Sequence, residues 1–311
     1  MRIRSAGAPL AQRIAGAPIS WGVCEVPGWG HQLEPDLVLR QMRDIGLSAT
    51  EFGPEGFLPD APAAKAATLA SYGLRAVGQF VPVVLHEAGH DPLPEVEEAI
   101  TGLLAADAGT VVIAAATGTD GYDARPALDG AGWNRLLANL DRISAVAAEA
   151  GLTATLHPHV GTMIESGEET QRVLEGSRIG LCLDTGHLLI GGGDPVAVAA
   201  RWPGRIAHVH LKDVRLGLAE KVRAGDTTYT AAVADGMYVP LGAGDVDIAE
   251  IVRLLENSGY AGWYVLEQDT ILHAAPGAAG GADPLDDVRA SVAFLVSLAD
   301  ASGPAPGPAG E

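Results

Sequence analysis

Cysteine is nearly absent: the 311 residues contain two, Cys24 and Cys182. So few thiols, so far apart, cannot supply a disulfide framework, and both read as packing residues. Positive charge is also scarce, with 20 Lys and Arg against 39 Asp and Glu and a formal net charge of −19. That balance repels nucleic acid and anionic membrane surfaces but says little against a neutral, sugar-like substrate. No run approaches the roughly 18–20 apolar residues needed to cross a bilayer. The start, MRIRSAGAPLAQRIAG, has arginines but no sustained apolar core, so no signal peptide is expected and a cytoplasmic location is the default. A Gly-rich dinucleotide fingerprint is missing too, since WGVCEVPGWG lacks the G-x-G-x-x-G spacing.

What the chain does have is apolar material in short, punctuated runs. Hydrophobic residues make up 48% and charged residues only 19%, which describes a globular protein able to bury a sizeable core. Apolar runs at 14–21, 47–53, 74–81, 110–116, 152–157, 179–184, 206–212 and 262–268 read as strands. Between them, residues 33–45, 62–72, 94–108, 132–150, 167–174 and 246–257 have helical spacing, mostly stopped by Gly, and 284–299 forms a closing helix. This alternation predicts a single-domain (β/α)8 TIM barrel over 14–300, with an open doubly wound sheet as the architectural alternative. Residues 1–13 read as a leader and 301–311, ASGPAPGPAGE, as a disordered Pro/Gly-rich tail. Residues 215–240 break the rhythm. An insertion that long, with a short helix near 218–223, is expected to cover a site, as a lid would.

The richest stretch is 179–214, IGLCLDTGHLLIGGGDPVAVAARWPGRIAHVHLKDV. Two apolar strands, IGLCLD and IAHVHLKD, each finish in metal-competent side chains, and Asp194-Pro195 opens a helix between them. Residues two apart in a strand share a face, so His208, His210 and Lys212 look one way. In a barrel the active site gathers at the carboxyl ends of the strands. Those ends offer Trp21, Glu51, Gln79, His157 with His159, Asp184 with His187, His210 with Lys212, and Glu267. Polar groups on one rim of an apolar barrel cost stability, which points to function.

His157, Asp184, His210 and Glu267 make a carboxylate–imidazole set suited to one divalent metal: Mn, Co, Fe or Zn, with Mg also admissible. Structural readings compete at several positions. Asp184 can be a helix cap or an Asx turn, one of His208 and His210 a satisfied core histidine, and Glu51 an ion-pair partner of Arg75 or Lys212. His157 and His159 flank a proline and can form a polar loop. Glu267 resists any structural reading, because buried Glu is rare.

The segments APISWG, TEFGPEGFLP, LHPHVGT, CLDTGHLLIGGGDP, AHVHLKDVR, VPLGAGDVD and GWYVLEQD resemble the xylose-isomerase-like TIM-barrel superfamily of sugar phosphate isomerases and epimerases. Within it they are most similar to the inosose dehydratase branch. The resemblance implies a barrel that binds one divalent metal, Mn or Co by preference, and acts on a small polyhydroxylated ketone. It implies Asp184, His210 and Glu267 as metal ligands and His187 as a histidine that contacts substrate hydroxyls. Many epimerases carry Glu where this chain has His157, so the two-carboxylate epimerisation device is incomplete. The reading is therefore dehydration of a ketocyclitol such as 2-keto-myo-inositol, by enolisation and loss of a β-hydroxyl. Isomerisation or epimerisation on the same scaffold is the alternative. Glu267, Lys212 and His187 are the acid–base candidates, and Trp21, Glu51, His159 and Arg215 the hydroxyl binders or walls. A phosphodiesterase like the endonuclease IV branch would need more ligands and a basic face, which the net charge denies. A non-catalytic barrel is the remaining contrast, and a homo-oligomer is left open.

Overall fold

The computed structural model describes residues 8–278 and 283–301. Of the tail expected at 301–311, Ala301 ends the last helix and the remainder lies outside the described residues, as do residues 1–7 of the expected leader. Eight parallel strands close into a barrel, as the alternation predicts. In chain order they are β1 (Ile14–Gly16), β2 (Ala49–Thr50), β3 (Arg75–Ala76 continuing as Gly78–Val84), β4 (Thr110–Ala116), β5 (Thr153–Leu156), β6 (Gly180–Asp184), β7 (Ile206–Leu211) and β8 (Tyr264–Leu266). The two segments of β3 stand at opposite ends of the hydrogen-bonding order, the first on β2 and the second on β4, so β3 closes the ring. The Val77 amide donating to Thr50 and the Phe52 amide donating to Gly78 secure the seam.

The helices outside are α1 (Pro35–Asp44), α2 (Pro62–Ser71), α3 (Leu93–Ala105), α4 (Gly130–Glu149), α5 (Gly167–Gly176), α6 (Thr185–Ile190), α7 (Pro195–Arg201), α8 (Leu216–Ala224), α9 (Tyr229–Ala234), α10 (Ile248–Asn257) and α11 (Leu285–Ala301). Their starts follow the cap chemistry of the sequence. Ser166 and Glu169 form a reciprocal capping box on α5, and Asp194 caps α7 ahead of Pro195. Apolar residues from strands and helices form a large core that includes Val38, Leu103, Leu136, Ile143, Val209 and Ile251, beside a small cluster of Ala15, Ala17, Ala49, Val77 and Val265.

Two local expectations change. The first strand stops at Gly16, because Pro18 starts a 3-10 turn, Pro18–Trp21, and pulls the chain out of the ladder. Within the stretch read as a leader, Leu10–Gln12 form another 3-10 turn, and the Arg13 side chain is buried under the barrel. The 215–240 insertion is ordered. It holds α8 and α9, and an antiparallel ribbon pairs Asp213–Val214 with Tyr238–Val239. No helix among the described residues is long and apolar enough to cross a membrane.

Candidate active site

The carboxyl ends of β5, β6, β7 and β8 bring His157, Asp184, His210 and Glu267 together, with one ligand atom from each lying within 4.8 Å of the others. Parallel register does this directly, since Asp184 pairs with His210 and Val265 with His210 across adjacent strands. His157 Nε2 lies 3.0 Å from Asp184 Oδ2, and His210 Nδ1 lies 3.1 Å from Glu267 Oε2 and 3.9 Å from Asp184 Oδ2. Donors around a small divalent ion at roughly 2.1 Å sit about 3 Å apart, so the spacing fits. His210 Nδ1 is also buried without a hydrogen-bond partner, an orphan that a cation would satisfy. Asp184 serves both readings of it: Oδ1 accepts from the His187 amide and caps α6, while Oδ2 faces the ligand set.

Behind the ligands, Glu51 Oε1 accepts from His208 Nε2 at 2.7 Å and from His210 Nε2 at 2.9 Å. That leaves His210 Nδ1 free toward the four-donor set, and a carboxylate behind an imidazole is the arrangement that would orient it for a metal. Burial alone would raise the Glu51 pKa, but the two imidazoles outweigh it and bring it down to about 2. Glu51 therefore pairs with histidines, not with Arg75 or Lys212; Arg75 stacks over Trp263 instead. The carboxylate fits inside the barrel because residue 78 is glycine, where a Cβ would meet Glu51 Oε1 at 3.1 Å.

Beside the ligand set lies the Lys212 ammonium, with Glu267 Oε2 at 3.1 Å, Asp184 Oδ2 at 3.7 Å and His187 Nε2 at 3.1 Å. It also donates to Asp269 Oδ1. Burial would lower its pKa, yet Asp269, Glu267 and Asp184 outweigh burial and hold it well above the ordinary value, so it is an ammonium. His159 and His187 stack with ring centroids 3.7 Å apart. Burial, reinforced for both by the Lys212 charge, pushes their pKa values well below the usual range. His159 Nδ1 donates to the Val160 carbonyl at 2.7 Å, which leaves Nε2 as its basic atom.

A cavity opens onto this assembly, lined by Glu51, His157, His159, Lys212, Glu267 and Asp269, with Phe80, Tyr122 and Trp29 among its walls. Two expected wall residues are elsewhere. Trp21 is wholly buried in the core, its indole donating to Gln41 Oε1 at 2.7 Å, because the Pro18 turn carries it off the barrel axis. Arg215 is exposed and outside the cavity, at the N-terminal cap of α8, where the chain leaves the Asp213–Val214 ribbon for the helix. His187 sits behind His159 and Lys212 and does not line the cavity. From β3 the residue at the cavity is Phe80, not Gln79.

Sequence reasoning missed Asp269, although its position two residues after Glu267 was a usable sign. It also missed Tyr229 and Tyr238, isolated aromatics in the insertion with no local signal.

Residues 39–298 match the profile of the family described as xylose isomerase-like TIM barrel. The chain belongs to that family. It is 34% identical over 306 residues to the rhizopine catabolism protein MocC of Rhizobium meliloti, covering 94% of this chain and 93% of that protein. It is 32% identical to an inosose dehydratase of Geobacillus kaustophilus, over 83% of this chain and 87% of the other. Among solved structures, that of the IOLI protein with a bound zinc atom superposes with a TM-score of 0.67 at 12% identity, covering 93% and 98% of the two chains.

Proposed function

We propose that this family member dehydrates a ketocyclitol such as 2-keto-myo-inositol, using one divalent metal held by His157, Asp184, His210 and Glu267. The observation that carries the reading is that four-donor set sharing Glu267 with a buried ammonium at the floor of a cavity. The similarity to inosose dehydratases supports the substrate class. The cavity lining favours an uncharged substrate, because Lys212 is the one Lys or Arg on it, against Glu25, Glu51, Glu267 and Asp269.

When bound, the metal would supply Lewis-acid polarisation of the ketone. Glu267, its pKa held well below the usual range by His210 and Lys212 despite burial, stays ionised and serves as a ligand more readily than as a proton donor. Lys212, kept as an ammonium, steadies negative charge on the enolate oxygen. Proton transfer falls to His159, a neutral imidazole on the cavity wall with Nε2 free. In this scheme His159 takes the proton from the carbon next to the carbonyl and returns one to the departing β-hydroxyl. Water leaves, and the enol product tautomerises to a diketone. His187, in contact with both Lys212 and His159, holds the pair in place.

Mn or Co is the proposed metal, since two imidazoles with two carboxylates favour neither Mg nor a soft-ligand ion. The reading places the protein in the cytoplasm, where two free thiols stay reduced.

The test is turnover of 2-keto-myo-inositol in deuterium oxide by metal-stripped protein reloaded with Mn or Co. Water loss with absorbance from a diketone is expected. Deuterium uptake without water loss would reassign the chain to epimerisation, and no change in any ketocyclitol would overturn the substrate class.

A further inference from the structure

The 215–240 insertion enters the site from behind through two tyrosine hydroxyls. Tyr229 on α9 donates to Asp269 Oδ2, and its oxygen lies 3.0 Å from the Tyr238 hydroxyl. Tyr238, on the ribbon strand, lies 3.4 Å from His187 Nδ1. Lys212 bonds both His187 Nε2 and Asp269 Oδ1, so the five residues form a closed circuit, and every member is buried.

The direction of each bond follows from the donor inventory. An ammonium only donates, so His187 Nε2 accepts and the neutral ring carries its proton on Nδ1. The Val160 amide, 3.5 Å from Nδ1, competes for that nitrogen, and the ammonium 3.1 Å from Nε2 decides the tautomer. His187 Nδ1–H then donates to Tyr238, Tyr238 to Tyr229, and Tyr229 to Asp269. Lys212 is the source of two paths and Asp269 the acceptor of both, with each polar hydrogen used once.

The packing around the circuit is equally specific. A Cβ at Gly186 would meet Lys212 Cβ at 2.6 Å and Tyr238 Cε1 at 3.0 Å, so only glycine lets the ring and the lysine stem lie together there. The Thr230 amide donates to Asp123 Oδ1 at 2.9 Å, and Tyr229 meets Tyr122 edge-on, tying α9 to the loop after β4. A lid that opens each turnover would have to break all of these contacts.

We propose that Tyr229 and Tyr238 are positioning residues that fix the Lys212 ammonium through Asp269 and His187, making the insertion a fixed backing behind the residues that line the cavity. What Lys212 does in turnover rests on the proposed function; its restraint by the circuit does not. Tyr229→Phe keeps the ring and removes the bond to Asp269, leaving Oδ2 buried without a donor.

Two measurements test this, ammonium exchange on the protein loaded with diamagnetic zinc and turnover on the protein loaded with Mn or Co. The chain has three lysines, Lys65, Lys212 and Lys221, and only Lys212 is buried, so its ammonium resonance is separable in 15N-lysine-labelled protein. Hydrogen exchange at that ammonium should accelerate about ten-fold in Tyr229→Phe, with kcat reduced about ten-fold and KM changed by less than about two-fold. Tyr238→Phe, one bond further from Asp269, should act in the same direction by a smaller factor. Unchanged exchange and unchanged kcat in folded Tyr229→Phe would overturn the proposal. Should the unaltered protein turn over no ketocyclitol, the proposed function fails, and ammonium exchange alone still decides the positioning role.

Discussion

The two ends of the barrel bury charge in opposite ways. At the amino-terminal end the Arg13 guanidinium uses five donor contacts, to the carbonyls of Ala8, Tyr260 and Gly262 and to both oxygens of Glu256 at 2.6 and 2.5 Å. At the carboxyl end, His157, His208 and His210 each keep a buried Nδ1 with no partner, and one ammonium faces three carboxylates. A fully satisfied ion pair lets a fold keep a buried charge, whereas an unsatisfied cluster costs stability and persists for chemistry. The contrast sets the structural ion pair at one end apart from the candidate site at the other.

The sharpest way to test the contrast is to remove an unsatisfied ligand. His210→Ala should abolish stoichiometric metal binding and lower turnover on the order of 10³-fold or more, read by elemental analysis and by diketone absorbance. Global stability should fall by no more than about 2 kcal/mol, the cost of a small cavity and of the lost bond to Glu51, and by less than at Arg13. A large loss of stability with metal binding intact would erase the distinction. Glu51→Gln comes next: with the orienting carboxylate gone, metal affinity should drop roughly 10–100-fold in a competition titration with a chelating dye.

At the other end the expected signs reverse. Arg13→Ala leaves Glu256 without its counter-ion, with only the Tyr264 hydroxyl donating to it, and three carbonyls without their guanidinium donor, and should cost about 3 kcal/mol in urea unfolding while turnover of the folded fraction stays unchanged. Altered turnover there would show that the two ends are coupled.

The smallest effect belongs to a satisfied pair on the catalytic side. Arg125 bonds Glu169, the capping-box residue of α5, at 2.8 Å. Burial would raise the Glu169 pKa, but Arg125 and the amides of Ser166 and Glu165 outweigh burial and hold it below the ordinary value. Its stabilisation is therefore present above the unfolded pKa of about 4.3 and is lost as pH falls through the depressed native value. Glu169→Gln should cost about 1 kcal/mol at pH 7, and the difference from the unaltered protein should vanish in acid, as followed by thermal unfolding across pH.

How far the site could be read from sequence differs residue by residue. Asp184, His210 and Glu267 were legible because each ends an apolar strand, where a charge has no structural reason to be. Trp21 misled because APISW reads as continuous strand, and the break at Pro18 is a local geometric event that hydrophobic period does not register. Glu51 was found, but its histidine partners lie 157 and 159 residues away in the chain. Asp269 follows Glu267 by two residues and was open to the same alternation argument. Tyr229 carried no signal at all, since an isolated tyrosine in a Thr/Ala-rich insertion has no pattern to belong to.

By itself the sequence determined the barrel, the order of its elements and the rim on which the candidate site gathers. Each of these rests on local information: the period of apolar residues, the residues that cap and stop helices, and the polar ends of strands. The tertiary structure decided which nitrogen of His210 is free, that Lys212 faces three carboxylates, that Trp21 belongs to the core, and that the insertion packs behind the cavity instead of lining it. Those properties arise from contacts between groups far apart in the chain, whose charges and hydrogen bonds act only once the ring has closed and excluded water.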